Sequence, residues 1–122
     1  MLFRSNAIQA PDGSYTGVLA TNTPNVNSAV NYPGVTLTSG TTYTKSVYAK
    51  YVSGSSSFYF QEYGSGWCQF DIQTGSALYA STGTVSVANA GNGWFRCIWT
   101  FTCTNYLGGD SFFIGEIGRA HV

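Results

Sequence analysis

The chain has 122 residues, five acidic and five basic, and a formal charge of zero. Charged residues make up 8 %, against about a quarter in ordinary soluble domains, and the isolated Lys and Arg residues leave no basic stripe for nucleic acid or an anionic membrane. No apolar run approaches the ~20 residues of a membrane span, and the start MLFRSNAIQAPDG reads as too short and too polar for a signal peptide.

Hydrophobic residues reach 43 % and aromatic residues 16 %, enough for one domain with a packed core. The polar surface falls to Ser, Thr, Asn, Gly and Tyr, a style that suits a secreted or particle-bound β-protein. No window has helical period. Short β-rich segments alternate with turn-forming clusters, predicting strands over 15–20, 29–32, 35–38, 42–52, 57–62, 67–72, 77–79, 85–88 and 94–104, with a last one from 111. The breaks are PDG (11–13), TNTPN, TSG (38–40), SGSSS, GSG (64–66), QTGS, STG, GNG (91–93) and LGGD. This spacing predicts an all-β sandwich or barrel with no internal repeat and no linker.

Alternation divides the longer segments into faces. In TTYTKSVYAKYV, Tyr43, Val47, Ala49 and Tyr51 form the expected core side, with Ser46, Tyr48 and Lys50 opposite. In CQFDIQTG, Cys68, Phe70 and Ile72 point inward and Trp67, Gln69 and Asp71 outward. In GWFRCIWTFTC the core side is Phe95, Cys97, Trp99, Phe101 and Cys103, and the other side is Trp94, Arg96, Ile98, Thr100 and Thr102. Lys45 breaks the pattern by sharing the phase of Tyr43 and Val47. It lies near the strand start, where its amine is expected to snorkel to water. Cys97 and Cys103 are about 20 Å apart on one extended strand, too far for a disulfide. A disulfide from Cys68 to either of the others stays open, but the favoured expectation for all three cysteines is buried free thiols on the core side, and no Cys/His spacing suits a metal.

Four stretches in order, PDG at 11–13, GTTYTKSVYAK at 40–50, FDIQTG at 70–75 and GNGWFR at 91–96, carry a resemblance. The chain resembles a domain of bacteriophage tail fibres, tailspikes and other tail-associated proteins. That domain is similar to carbohydrate-binding modules of jelly-roll fold and to concanavalin-like lectin sandwiches. The likeness covers roughly residues 7–114 and implies an antiparallel two-sheet sandwich of jelly-roll winding and an extracellular place on the virion. Two departures stand out. The family begins with a Trp-containing strand before its PDG, where only LFRSNAIQA stands here, so that first strand is expected to be largely absent. The family also ends after S-F-x-I with a further strand, where this chain has GEIGRAHV. IGRAHV is the translation of ATC GGA AGA GCA CAC GTC, the start of a short-read sequencing adapter. Residues 117–122 therefore read as adapter-derived sequence on a metagenomic gene fragment, and 1–116 as a single jelly-roll domain incomplete at both ends. On that reading His121, the only histidine, is not native.

The chemistry follows from what remains. Without His121 there is no histidine base or ligand. Glu62 and Asp71 on neighbouring predicted strands are the one conceivable glycosidase pair, which needs a separation of ~5–10 Å across a sugar. Asp71 has a simpler role, capping backbone amides in its FDIQTG turn. No enzyme activity is expected. Sugars present apolar faces and hydroxyl rims, and a site for them needs flat aromatic rings with a few fixed donors. Tyr48, Lys50, Trp94 and Arg96 supply these from the non-core sides of the two long strands, with Trp67, Tyr59 and Gln61 as additions. Arg and Lys donate to hydroxyls or to acidic-sugar carboxylates. The competing reading makes Trp94 and Arg96 structural, a ring beside a cation in a sandwich that needs bulk on its inner faces. No cofactor is expected. Jelly-roll sugar binders often hold a structural calcium near the chain ends, for which Asp12 and Asp110 are the candidates here. The expected role is a non-catalytic carbohydrate-binding-type module of a phage tail or tail-fibre protein that attaches to host surface polysaccharide. Its partners are a host cell-surface glycan and neighbouring domains or subunits, such as those of a homotrimer. The alternative role is a purely structural spacer or trimerisation module.

Overall fold

A computed structural model describes the backbone of residues 2–8, 12, 17–21, 28–31, 36–54, 56–62, 64–105 and 110–114, and the side chains within 12, 36–54, 56–62 and 64–105. The described elements are all β: β1 (Leu2–Ile8), β2 (Gly17–Thr21), β3 (Ser28–Asn31), β4 (Thr42–Lys50), β5 (Ser57–Glu62), β6 (Gly66–Asp71), β7 (Ser76–Ala80), β8 (Thr84–Gly91), β9 (Trp94–Thr102) and β10 (Asp110–Ile114). They form antiparallel sheets of order β3-β10-β5-β6-β7 and β4-β9-β8, while β1 pairs with β2.

The two larger sheets face each other across one core. Phe58 and Phe60 of β5 and Cys68 and Phe70 of β6 meet Ala49 of β4 and Cys97, Trp99 and Phe101 of β9, with Leu37, Ile72 and Cys103 at the margins. This is an antiparallel two-sheet sandwich, one of the two architectures that the turn spacing allows. Alternation drives it, because every second residue of these strands is large and apolar and finds bulk opposite. Burying each large apolar side chain contributes roughly 1.5–3 kcal/mol. The rings of Trp99 and Phe101 stack with centroids 4.1 Å apart, and Phe60 meets Phe58 and Phe70 edge-on. Trp99 satisfies its one donor by giving Nε1–H to the carbonyl of Thr82 at 2.9 Å. All three cysteines are buried free thiols.

The β8–β9 hairpin turns on Asn92 and Gly93, both with positive φ (55° and 83°). Such a two-residue turn is right for strands of natural twist and explains the Asn-Gly choice. It sets the register in which Arg96 of β9 lies between Ala88 of β8 and Tyr48 of β4.

Four expectations change. Residues 36–38 form no strand: the chain turns there, with Thr41 N–H donating to the Thr38 carbonyl and Gly40 N–H to that of Cys103. Val35, the first residue of the expected strand, lies outside the described residues; 36–38 lead into the TSG turn, and of these Leu37 reaches the core. The segment before Asp12 does form a strand, β1, where little of one was expected. β4 and β9 each end two residues early, at Lys50 and Thr102. Most consequentially, Lys45 does not reach for water. Its ammonium lies 3.0 Å from Glu62 Oε2, with side-chain exposures of 14 % and 0 %, and about 6 Å from the rings of Phe60, Trp99 and Phe101 (5.9, 6.0 and 6.0 Å). Its position at the fourth residue of β4, on the inner face, aims it into the core, where a carboxylate from β5 and three ring faces replace water.

Candidate functional site

The outward face of the β4-β9-β8 sheet is built in rows by the strand register. Tyr48 stands directly across from Arg96, and Lys50 across from Trp94. Lys50 and Arg96 are thus diagonal neighbours on one face, within reach of a single ligand for side chains this long. Tyr48 is 50 % exposed, and Arg96 is exposed too. Arg96 Nη2 donates to Ser46 Oγ at 3.3 Å, which leaves most of its five donors open. The methylene stem of Lys50 passes Gly93, whose missing side chain leaves it room. Trp94 is 7 % exposed and lies outside the central core cluster, so it offers a firm floor and little surface.

The same face continues as a hydroxyl ladder. Thr42 and Thr102 share a hydrogen bond of 2.9 Å between their hydroxyls, and Thr44 and Thr100 one of 3.0 Å. Each hydroxyl keeps capacity for a further partner. These residues follow from the outward phase of β4 and β9, where small polar β-formers suit a solvated surface.

Trp67 and Gln61 lie elsewhere, opposite each other on the outward side of β5 and β6. That is the other sheet, so its outward side faces away from Tyr48. The seven candidate ligand residues therefore do not form one site. Tyr48, Lys50, Arg96 and Trp94 come together; Trp67, Gln61 and Tyr59 stand on the opposite side of the sandwich. Tyr59 has no exposed surface, and burial pushes its phenol up to about 12, so it presents a neutral ring inside the structure and nothing to a ligand.

On that second side Trp67 packs against Tyr79, with ring centroids 4.8 Å apart. Tyr79 escaped sequence reading because the β6–β7 register shifts between Gln69 and Phe70, so alternation through ALYA does not reveal its face. The aromatic pair, flanked by Gln61 and Gln69, is a second patch of sugar-compatible chemistry without a charged donor.

The carboxylates divide in the same way. Glu62 faces the core against Lys45. Asp71 caps its own turn, accepting from Gln73 N at 2.9 Å and Thr74 N at 3.2 Å; these backbone donors, Thr74 first, hold its carboxyl below the usual range. The two acids thus lie on opposite sides of the β5-β6 pair and do not confront each other across a cleft. Asp12 stands in an exposed turn, and Asp110 opens β10 opposite Glu62. Among the described residues no group of three or more Cys, His, Asp or Glu could hold a metal, and nothing described links Asp12 to Asp110. No protein-family model and no curated protein sequence matches the chain.

Proposed function

We propose that this chain is a non-catalytic, carbohydrate-binding-type module of jelly-roll winding, part of a phage tail or tail-fibre protein, that attaches the extracellular particle to host surface polysaccharide. One observation carries the binding reading: Tyr48, Arg96 and Lys50 are brought side by side on an outward sheet face, with a half-exposed ring beside two flexible donors. The ring offers a surface for an apolar sugar face, and the cations and the adjoining Thr hydroxyls offer partners for the rim. The tail setting is supported by the sequence resemblance through PDG, GTTYTKSVYAK, FDIQTG and GNGWFR.

A bacterial glycan array probed with the whole chain tests the reading. Binding to at least one surface glycan is expected, weakened about tenfold or more by Tyr48→Ala with the far-ultraviolet spectrum unchanged. A folded protein that binds no member counts against it. Val52 and Leu78, each more than half exposed, favour a second reading, a structural module packed against neighbouring subunits. Sedimentation separates the two: a stable trimer in which Tyr48 is protected from modification supports the structural role.

A further inference from the structure

Among the described residues, the two cations on the Tyr48 face have no anionic partner. Among the described residues the one ion pair is Lys45–Glu62, inside the core. Asp71 lies on the other sheet and is held by its own turn. Arg96 donates to the neutral hydroxyl of Ser46, and the methylene stem of Lys50 runs along Gly93, with Lys50 directly across from the buried Trp94. In a chain of zero formal charge with only five basic residues, two of them stand as diagonal neighbours on one face, which they share with the half-exposed ring of Tyr48.

We infer that the Tyr48–Lys50–Arg96 face selects an acidic polysaccharide, one whose sugar units carry carboxylates. This inference rests on the glycan-binding reading above and narrows it. The charge complementarity is local: an Arg fork matches a carboxylate in two parallel hydrogen bonds, and the Lys ammonium adds a second point of attraction. The ring distinguishes a sugar acid from a bare polyanion, because Tyr48 needs an apolar sugar face next to the charge, which a phosphate chain does not provide. The hydroxyl ladder of Thr42, Thr44, Thr100 and Thr102 extends the same surface along a bound chain.

The test uses the whole chain against a panel of bacterial capsular polysaccharides, neutral and acidic, each acidic member paired with its carboxyl-reduced form, and inorganic polyphosphate as a polyanion without sugar. The expected result is binding to acidic members that falls about tenfold or more on carboxyl reduction and weakens as salt is raised. Arg96→Gln and Lys50→Gln each reproduce the loss on the unreduced glycan, and Tyr48→Ala weakens glycan binding with no effect on polyphosphate. Arg96 and Tyr48 are surface residues, and circular dichroism verifies that each variant is folded. Binding indifferent to carboxyl reduction, or confined to neutral glycans, overturns the acidic specificity while leaving the glycan reading in place. Equal binding to polyphosphate, unaffected by Tyr48→Ala, reduces the face to a charge patch and also overturns it. Binding to no member of the panel removes the underlying glycan reading itself.

Discussion

Single residues carry much of what distinguishes this sandwich, and Lys45 is the clearest. A lysine and a glutamate inside an apolar core give up hydration, and each is tolerated because the other is 3.0 Å away. Removing one partner strands the other, which costs about 3–5 kcal/mol for a buried pair. Glu62→Gln and Lys45→Ala are each expected to lower the free energy of urea unfolding by that order. The joint change Lys45→Met with Glu62→Leu should recover most or all of it, since the aromatic box of Phe60, Trp99 and Phe101 suits an apolar chain equally well. A double variant as unstable as the worse single one argues against this account. Asp71 makes a different prediction. Its folded carboxyl titrates below the ordinary value of about 3.9, chiefly through the Thr74 and Gln73 amides. The cap therefore contributes in full above that pH and is lost as pH falls through the lower folded value. Asp71→Ala should depress the melting temperature at neutral pH, and the gap from the parent should close in strong acid.

At the level of elements, strand existence was legible and strand ends were less so. The run Ser57–Glu62 reads directly, because its aromatic residues stand between SGSSS and GSG clusters. The inward set of β9 also reads directly, since Cys97, Trp99 and Phe101 alternate with Arg96, Ile98 and Thr100. The run VTLT misleads, because β-branched residues speak for a strand while hydrogen bonds from across the fold close a turn there. Lys45 misleads in the other direction: nothing local in TTYTKSVYAK announces that Glu62, 17 positions on, will meet it. The grouping of Tyr48, Lys50, Trp94 and Arg96 was legible from phase, but the separation of Trp67, Tyr59 and Gln61 from them was not, because phase does not say which sheet a strand joins. Turns give their own test. Gly75 and Gly54 have similar positive φ, 75° and 82°, but a Cβ at Gly75 would overlap the Phe95 ring whereas one at Gly54 would meet nothing. Gly54→Ala should cost about 1–2 kcal/mol for the left-handed backbone alone. Gly75→Ala should cost about 1–3 kcal/mol more for the overlap. Equal losses in a thermal melt would mean that Phe95 does not press on the β6–β7 turn.

Across the whole molecule, zero net charge and few ionic groups leave no long-range field to steer a ligand. On the glycan-binding reading proposed above, recognition would come from short-range contacts on the outward sheet face, and a single copy would bind weakly. Presenting three copies on a trimer raises avidity by roughly 10²–10⁴ where the spacing lets them engage together. A trimeric fusion of this chain should therefore retain bacterial glycan far longer than the monomer in surface plasmon resonance, and Arg96→Gln should abolish the gain. If the fusion and the monomer dissociate at the same rate, the faces are not presented outward together.

The buried thiols have a practical consequence. Burial pushes Cys68 and Cys97 up to about 12, and Cys103 is fully enclosed, so the folded protein shields its native thiols from maleimides and other thiol reagents. A cysteine introduced on the exposed part of the Thr ladder, for instance Thr102→Cys, becomes the one fast-reacting handle. A fluorophore placed there offers a readout for the proposed glycan binding without first deleting the native cysteines, and delayed reaction of the remaining three serves as an internal clock for unfolding.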